Sequence, residues 1–152
     1  TGNIDYEPGN HHKMTLARAQ RVAGAVRDIP LLEVNGPEQG DLLVIGWGGT
    51  YGAITSAVTQ AQLDGLSVAS AHIRYLNPFP ENLEEILNRY ETILIPELNT
   101  GQLSILIRAQ YNVDAIAFGK ISGQPFKIRE ILGKIHHVLG QSESFHFDFE
   151  EE

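Results

Sequence analysis

The sequence has no cysteine among its 152 residues. This absence excludes disulfide bonds and thiolate-held zinc or iron–sulfur clusters within these residues. No apolar run approaches the roughly 20 residues that a membrane helix needs, so we expect no membrane association. No basic start leads into an apolar core, as a secretory signal would require, and we expect a cytoplasmic location. The first residue is Thr1 rather than Met, which indicates processing or a piece cut from a longer chain.

Basic residues are scarce as well. Eleven Lys and Arg stand against 19 Asp and Glu, which gives a net charge of −8 and argues against nucleic-acid binding. Hydrophobic residues make up 42% of the chain and charged residues 20%, as in ordinary globular proteins. A chain of this length suits one domain that buries roughly two thirds of its unfolded surface.

Apolar runs alternate with segments of helical periodicity after Asp41. The runs cover residues 42–46, 66–73, 92–95 and 115–118. An earlier run at 31–34 could form an edge strand. This alternation predicts a three-layer α/β/α domain whose five-stranded sheet is mostly parallel.

Helix positions follow from the same patterns. Thr15 can cap a helix running from Leu16 to about Arg27. The apolar stripes of two later helices are predicted to contain Leu83, Ile86, Leu87 and Tyr90, and Leu103, Leu106 and Ile107. We expect residues 1–13 to be a linker or arm, 14–140 to be the domain, and 141–152 to be an acidic tail. The alternating Phe145, Phe147 and Phe149 favour docking of that tail slightly over a frayed end.

A glycine-rich turn, Gly46 to Gly52, follows a strand and opens a helix. Its glycines permit a positive φ, and a helix start offers N–H groups to an anion. The spacing matches neither the dinucleotide nor the Walker fingerprint, so a tight turn that packs closely against a neighbour is favoured. Trp47 is more typical of packing or an interface than of cofactor stacking. The weak cofactor candidates are Gly48, Gly49 and Thr50.

Two further strand ends carry polar residues. The segment Asn77–Pro80 could place Arg74 and Phe79 at a subunit contact, or could form a stiff connection with Phe79 in the core. Either proline could follow a cis bond. Arg74 could also pair with Glu97.

Glu97 could act as an acid or base if its pKa were raised. A carboxylate hydrogen-bonded to the start of the next helix is the favoured interpretation. Adjacent histidines such as His136 and His137 point about 100° apart on a helix, so no metal site is predicted.

Five sequence motifs follow one another along the chain: Asn10–Thr15, Leu43–Gly52, Arg74–Pro80, Pro96–Leu103 and Gly123–Ile128. In this order they resemble the last domain of the alpha subunit of the 2-oxoacid:ferredoxin oxidoreductases. The resemblance extends from about Tyr6 to Leu139, and the Asn77 version of the third motif is most similar to the 2-oxoglutarate type.

The resemblance implies a fold like the carboxyl-terminal domain of transketolase, with the first short strand antiparallel to the others. It implies a whole enzyme that decarboxylates a 2-oxoacid, here 2-oxoglutarate, to an acyl-CoA and reduces ferredoxin. Thiamine pyrophosphate, Mg²⁺, coenzyme A and an iron–sulfur cluster would belong to that enzyme and not be bound by this domain. The partners would be the beta subunit, the other alpha-subunit domains and, for the whole enzyme, ferredoxin.

The domain itself is predicted to be a scaffold and subunit interface without catalytic residues. We expect the isolated domain to be inactive, and a homo-oligomer of it is left open. An alternative is an autonomous Rossmann- or flavodoxin-like module that binds a nucleotide or another small molecule at the glycine-rich turn. The predicted interface or loop residues are Trp47, Thr50, Tyr51, Arg74, Asn77, Phe79, Glu97, Asn99 and Gln102.

Overall fold

A five-stranded sheet with helices on both faces forms the domain in the computed structural model, which describes residues 4–140. The strands are β1 (Val34–Asn35), β2 (Gly40–Trp47), β3 (Val68–Ile73), β4 (Tyr90–Glu97) and β5 (Ala115–Gly119). The helices are α1 (Pro8–Gly24), α2 (Tyr51–Leu63), α3 (Leu83–Leu87), α4 (Gln102–Tyr111) and α5 (Ile128–Val138). Short 3₁₀ turns span Ala25–Asp28 and Gly48–Thr50.

The strand order is β1-β3-β2-β4-β5. β2 pairs in parallel with β3 on one side and with β4 on the other, and β4 pairs in parallel with β5. The two-residue strand β1 pairs antiparallel with β3. The predicted mostly parallel sheet with one short antiparallel strand is therefore confirmed.

Alternate residues of the strands supply two separate cores. In β2, Leu43 and Ile45 face the layer of α3 and α4, whereas Leu42 and Val44 face the layer of α2 and α5. All four side chains are fully buried, which explains why this strand is a continuous apolar run. The three-layer prediction is confirmed by this arrangement.

The first helix differs from its prediction. α1 begins at Pro8, so Thr15 lies within the helix instead of capping it. Proline suits the first turn because the N–H that it lacks would have no partner within the helix. No residue of α1 is buried, and Leu16 is 50% exposed, so α1 contributes no side chain to the core of the described domain. The predicted boundaries of the arm, domain and tail stay predictions.

Two predicted helix stripes are corrected. Tyr90 begins β4 instead of completing the stripe of α3, and its hydroxyl donates to the Pro37 carbonyl. In α4 the buried positions are Leu103, Ser104 and Ile107, while Leu106 is exposed. The predicted docking segment around Phe147 lies outside the described residues. Within residues 4–140, no helix combines the length and hydropathy that a bilayer crossing requires.

Candidate functional site at the strand ends

A crevice is expected at the carboxyl ends of β2 and β4. The chain leaves β2 for β3 on one side and later reaches β4 on the other, and loops diverge at such a reversal in an open α/β sheet. Trp47 ends β2 and Glu97 ends β4. The Trp47 indole N–H donates to Glu97 Oε2 at 3.4 Å, so these two predicted site residues are brought together.

Glu97 is fully buried and anchors the start of α4. Its Oε2 accepts the Leu103 backbone N–H at 2.7 Å, and its Oε1 accepts the Ser104 backbone N–H at 3.0 Å. A carboxylate at this position satisfies N–H groups of the first helical turn and complements the positive end of the helix dipole. The favoured interpretation of Glu97, a carboxylate bound to the next helix start, is confirmed.

The alternative pairing of Arg74 with Glu97 is wrong. No ion pair joins the two side chains in the part of the chain that the structure describes. Arg74 lies just past β3, and β2 separates β3 from β4. Two inter-strand spacings, about 10 Å, separate these strand ends, and the Glu97 oxygens accept N–H groups of Trp47, Leu103 and Ser104 instead.

The glycine-rich turn is closed by Thr50. The Thr50 hydroxyl accepts the Trp47 backbone N–H at 3.2 Å and donates to the Trp47 carbonyl at 2.9 Å. Close packing occurs at Gly46, where a Cβ atom would lie 2.4 Å from Ile54 Cδ1. At Gly48 and Gly49, by contrast, a Cβ would meet no atom within 4 Å beyond those of the adjacent residues, so the close packing of the turn is confined to Gly46 among these three glycines.

The loop after β4 is held by Asn99. Its Oδ1 accepts the Gly101 N–H at 2.7 Å and the Gln102 N–H at 3.0 Å, a side-chain-stabilised turn into α4. Gly101 has a φ of 100°, which favours glycine. A Cβ on Gly119 would lie 2.7 Å from the Asn99 carbonyl oxygen, so β5 approaches this loop closely. The loop is thus preorganised from two directions.

The segment after β3 contains a cis peptide bond between Asn77 and Pro78. Phe79 is buried and packs against Tyr111 with ring centroids 5.9 Å apart. The core alternative for Phe79 is therefore the one that the structure shows. Arg74 and Asn77 are exposed beside it.

The predicted residues fall into two groups by depth. Thr50, Phe79 and Glu97 are buried and hold the loops in place. The remaining residues reach the surface: Trp47 and Asn99 are half-buried, and Tyr51, Arg74, Asn77 and Gln102 are exposed. No group of three or more His, Cys, Asp or Glu side chains within residues 4–140 is arranged to hold a metal ion.

Sequence reasoning missed one group of polar residues. Ser70 and His72 line a cavity of about 480 Å³ that also includes Tyr51, Arg74 and Tyr75. The available signal was the alternation of Ser70 and His72 with alanines along β3. That alternation was obscured because the whole run is apolar enough to indicate a strand buried on both faces.

Comparison with known proteins identifies relatives of this fold and site. Residues 40–131 match the family model described as "Pyruvate:ferredoxin oxidoreductase core domain II". The chain is 46% identical over 132 residues to the 2-oxoglutarate oxidoreductase subunit KorA of Mycobacterium tuberculosis. That alignment covers 86% of this chain and 20% of the relative, so the chain spans about a fifth of the length of the curated relative.

Two solved structures share the fold. The 2-oxoglutarate:ferredoxin oxidoreductase of Magnetococcus marinus, solved with 2-oxoglutarate, coenzyme A and succinyl-CoA bound, matches with a TM-score of 0.81 and 29% identity. The match covers 91% of this chain and 25% of that chain. A split-gene transketolase in an inactive β4 tetramer matches with a TM-score of 0.53 over 68% of this chain and 39% of that chain. At 11% identity, this second match shows the fold alone.

Proposed function

Because the chain belongs to the pyruvate:ferredoxin oxidoreductase core domain II family, we propose that it is this domain of the alpha subunit of a 2-oxoacid:ferredoxin oxidoreductase. The whole enzyme would convert 2-oxoglutarate to succinyl-CoA and carbon dioxide and reduce ferredoxin. The main support for 2-oxoglutarate as the substrate is the 46% identity to a 2-oxoglutarate oxidoreductase subunit across 86% of the chain. The Magnetococcus marinus relative, whose structure contains 2-oxoglutarate and succinyl-CoA, supports the same substrate.

Within that enzyme the domain would act as a scaffold and subunit interface. Its strand-end loops are fixed from inside by Glu97, Thr50 and Asn99, so they can present side chains without paying further ordering entropy on assembly. Tyr51 is 58% exposed at this edge and offers an aromatic anchor of the kind that interfaces favour. The beta subunit and the other domains of the alpha subunit are the proposed partners, with ferredoxin as the electron acceptor of the whole enzyme.

The proposed cofactors would be held elsewhere in the enzyme. An iron–sulfur cluster is held mainly by cysteine thiolates, and this chain has none, so its residues do not fit that group. We assign thiamine pyrophosphate, Mg²⁺ and coenzyme A to the other domains or subunits on the same proposal. The proposed compartment is the cytoplasm.

The substrate assignment is tested on the parent enzyme, with the full alpha subunit co-purified with its beta subunit. Reduction of ferredoxin is measured with coenzyme A and either 2-oxoglutarate or pyruvate. We expect kcat/KM to be at least about a hundredfold higher for 2-oxoglutarate, because a site built to bind a second carboxylate leaves buried polar groups unpaired with pyruvate. A preference for pyruvate would contradict the substrate assignment and leave the family membership intact.

A titration of the purified chain separates the scaffold role from the alternative, an autonomous nucleotide-binding module. Trp47, the single tryptophan, lies beside the open backbone of Gly48 and Gly49 and reports binding there by fluorescence. The scaffold role predicts no saturable change with coenzyme A or thiamine pyrophosphate, and an unaltered melting temperature. A saturable change accompanied by a higher melting temperature would support the module instead.

A further inference from the structure

The cavity lies beside β3 and reaches residues on the face of the sheet that α2 and α5 cover. Towards α3 and α4, β3 presents Ala69, Ala71 and Ile73 to a continuous core. On the opposite face Val68 is fully buried in the layer of α2 and α5, but the next two residues on that face, Ser70 and His72, line the cavity. On this face the strand therefore changes from apolar to polar towards its carboxyl end, although Ser70 is still only 5% exposed.

His72 contributes a hydrogen-bond donor to this cavity. Its Nδ1 atom is buried without a hydrogen-bond partner within the described part of the chain and lies on the side of Gly46. Burial, and secondarily the Arg74 charge, hold the pKa of His72 below its ordinary value of 6.5, so the ring is neutral at pH 7. A buried N–H without an acceptor is rarely tolerated, which places the single proton on Nε2, on the side of the ring away from Gly46.

The ring of His72 is held in this orientation by Tyr51. The two rings meet edge to face with centroids 5.1 Å apart and planes at 74°. Tyr51 and His72 both line the cavity. The donor arrangement is thus fixed by a strand and a helix, which are rigid elements, and not by a loop.

Arg74 adds positive charge at the mouth of the cavity, next to Tyr75. No ion pair engages its guanidinium within residues 4–140. The exposed carboxylate of Glu33 also lines the cavity. The negative charge of Glu33 repels an anion, whereas the positive charge of Arg74 attracts one. Substitutions of these two residues should therefore change anion affinity in opposite directions.

We propose that this cavity binds a compact anionic ligand through a carboxylate or phosphate group. The Arg74 guanidinium supplies the charge, and the His72 Nε2–H and the Tyr51 hydroxyl supply further donors. A guanidinium fork matches either oxyanion in two hydrogen bonds. The proposal concerns the chain by itself and does not depend on the activity of the parent enzyme.

Calorimetric titration of the purified 152-residue chain at pH 7.5 tests the proposal, with inorganic phosphate and succinate as separate probes at constant ionic strength. We expect saturable binding of at least one probe. Arg74→Gln should weaken binding by about tenfold or more, which corresponds to the loss of one charge-assisted hydrogen bond. Glu33→Gln should tighten it about twofold to threefold, because it removes a like charge.

Matched variants give the test its specificity. Arg21→Gln removes an exposed charge from α1, outside the cavity, and should leave the affinity unchanged. His72→Gln retains an N–H near the Nε2 position and should bind more tightly than His72→Leu, which cannot donate. Binding of phosphate alone assigns a phosphate ligand, and binding of succinate alone assigns a carboxylate.

Three results would overturn the proposal. The first is the absence of saturation by either probe at concentrations on the order of 50 mM, far above the range of ordinary ligand affinities. The second is equal weakening by Arg74→Gln and Arg21→Gln, which would indicate an adventitious ion only. The third is equal binding by the Gln and Leu variants of His72 in chains with matching melting temperatures.

Discussion

At the residue scale, the carboxylate of Glu97 joins the end of β4 to the start of α4, which follows closely in the chain, and to Trp47, which lies 50 residues earlier. It accepts N–H groups from Trp47 at the end of β2 and from Leu103 and Ser104 in the first turn of α4. A side chain from a preceding strand here performs the work that an N-cap residue usually performs. Removing it would leave buried donors without acceptors, so its contribution to stability is measurable.

Substitution of Glu97 should destabilise the chain in a graded way. Glu97→Gln keeps one acceptor oxygen but turns an amide donor towards backbone donors, and should cost about 2 kcal/mol of unfolding free energy. Glu97→Ala should cost about 3 kcal/mol or more, because it also leaves a cavity. Urea denaturation at pH 7 measures both values. Glu81→Gln, at an exposed position, should stay within about 0.5 kcal/mol of the parent; equal effects of Glu81→Gln and Glu97→Gln would contradict the anchoring role.

Two glycines of the same turn should respond to alanine with opposite signs. Gly46→Ala places a Cβ 2.4 Å from Ile54 Cδ1 and 2.8 Å from Thr50 Oγ1, so we expect a loss of about 1 to 3 kcal/mol. Gly52→Ala adds a Cβ that meets no atom within 4 Å beyond the adjacent residues and the backbone of its own helix α2, so we expect a gain of about 0.5 to 1 kcal/mol. Thermal and urea unfolding of the two variants provide the comparison, and a loss at both positions would show that the turn tolerates no Cβ anywhere.

The sequence alone predicted some of these residues and not others. The role of Glu97 could be predicted because a carboxylate just before a helix start has one favourable partner, the N–H groups of that helix. The location of the Phe79 ring could be narrowed to two alternatives, a subunit contact or the core, because its motif fixes the backbone but not the direction of the ring. His72 was not predictable as a site residue, because its environment depends on how Tyr51 of α2 and Gly46 of β2 pack against it, and that is a property of tertiary packing.

At the scale of elements, the apolar runs and the turn residues were sufficient to predict the strands of the parallel sheet. The strands β2, β3 and β4 are buried on both faces, which leaves a strong signal in sequence, whereas β5 is only partly buried. The predicted helix at α3 was too long. The helical periodicity continues through Tyr90, and it contains no information about the pairing of Tyr90 with Gly40 of β2. For α1 the periodicity correctly indicated a helix but could not indicate what, if anything, covers its apolar side.

The start of α5 should give the chain an acid-sensitive element. Burial alone would raise the pKa of Glu130, but hydrogen bonds from the Lys120 ammonium and the Lys127 backbone N–H lower it below its ordinary value of 4.5. A carboxyl whose pKa is lower in the folded chain stabilises the fold above its unfolded pKa, and this contribution disappears as pH falls through the folded pKa. Glu130→Gln should therefore cost about 1 kcal/mol at pH 7, and the difference from the parent chain should shrink below pH 4.5.

Urea unfolding of both chains from pH 7 to pH 3 measures this difference, with Glu81→Gln as the exposed control. A difference that stays constant across this pH range would mean that Glu130 acts through packing and not through its charge.

At the scale of the whole molecule, the two ends of the parallel strands differ in character. The carboxyl ends of the strands carry the preorganised loops, and their amino ends carry the turns that return from the helices. The exposed aromatic Tyr51 lies near the carboxyl ends of the strands, at the start of α2, and the exposed Leu63 lies at the far end of the same helix. If the carboxyl edge is the interface, these two residues should differ in their effect on assembly while sharing the same helix.

In the parent enzyme, Tyr51→Ala should weaken association of the subunits by about tenfold, because interfacial aromatic anchors typically contribute 1 kcal/mol or more. Leu63→Ala should leave association unchanged. Analytical ultracentrifugation of the co-purified subunits across a dilution series measures the dissociation constant. Equal behaviour of both variants, in chains with matching melting temperatures, would contradict an interface at the carboxyl edge.

The central position of β2 also has a consequence for biosynthesis. β2 is the first long strand of the described residues to be translated, yet Leu42 pairs with both Val68 and Thr92. The second partner is translated 50 residues later, which takes roughly 3 to 10 s at ordinary elongation rates. During that interval one edge of the most apolar strand of the sheet has no neighbour, so the nascent chain passes through an aggregation-prone stage that a chaperone would recognise by its exposed strand edge.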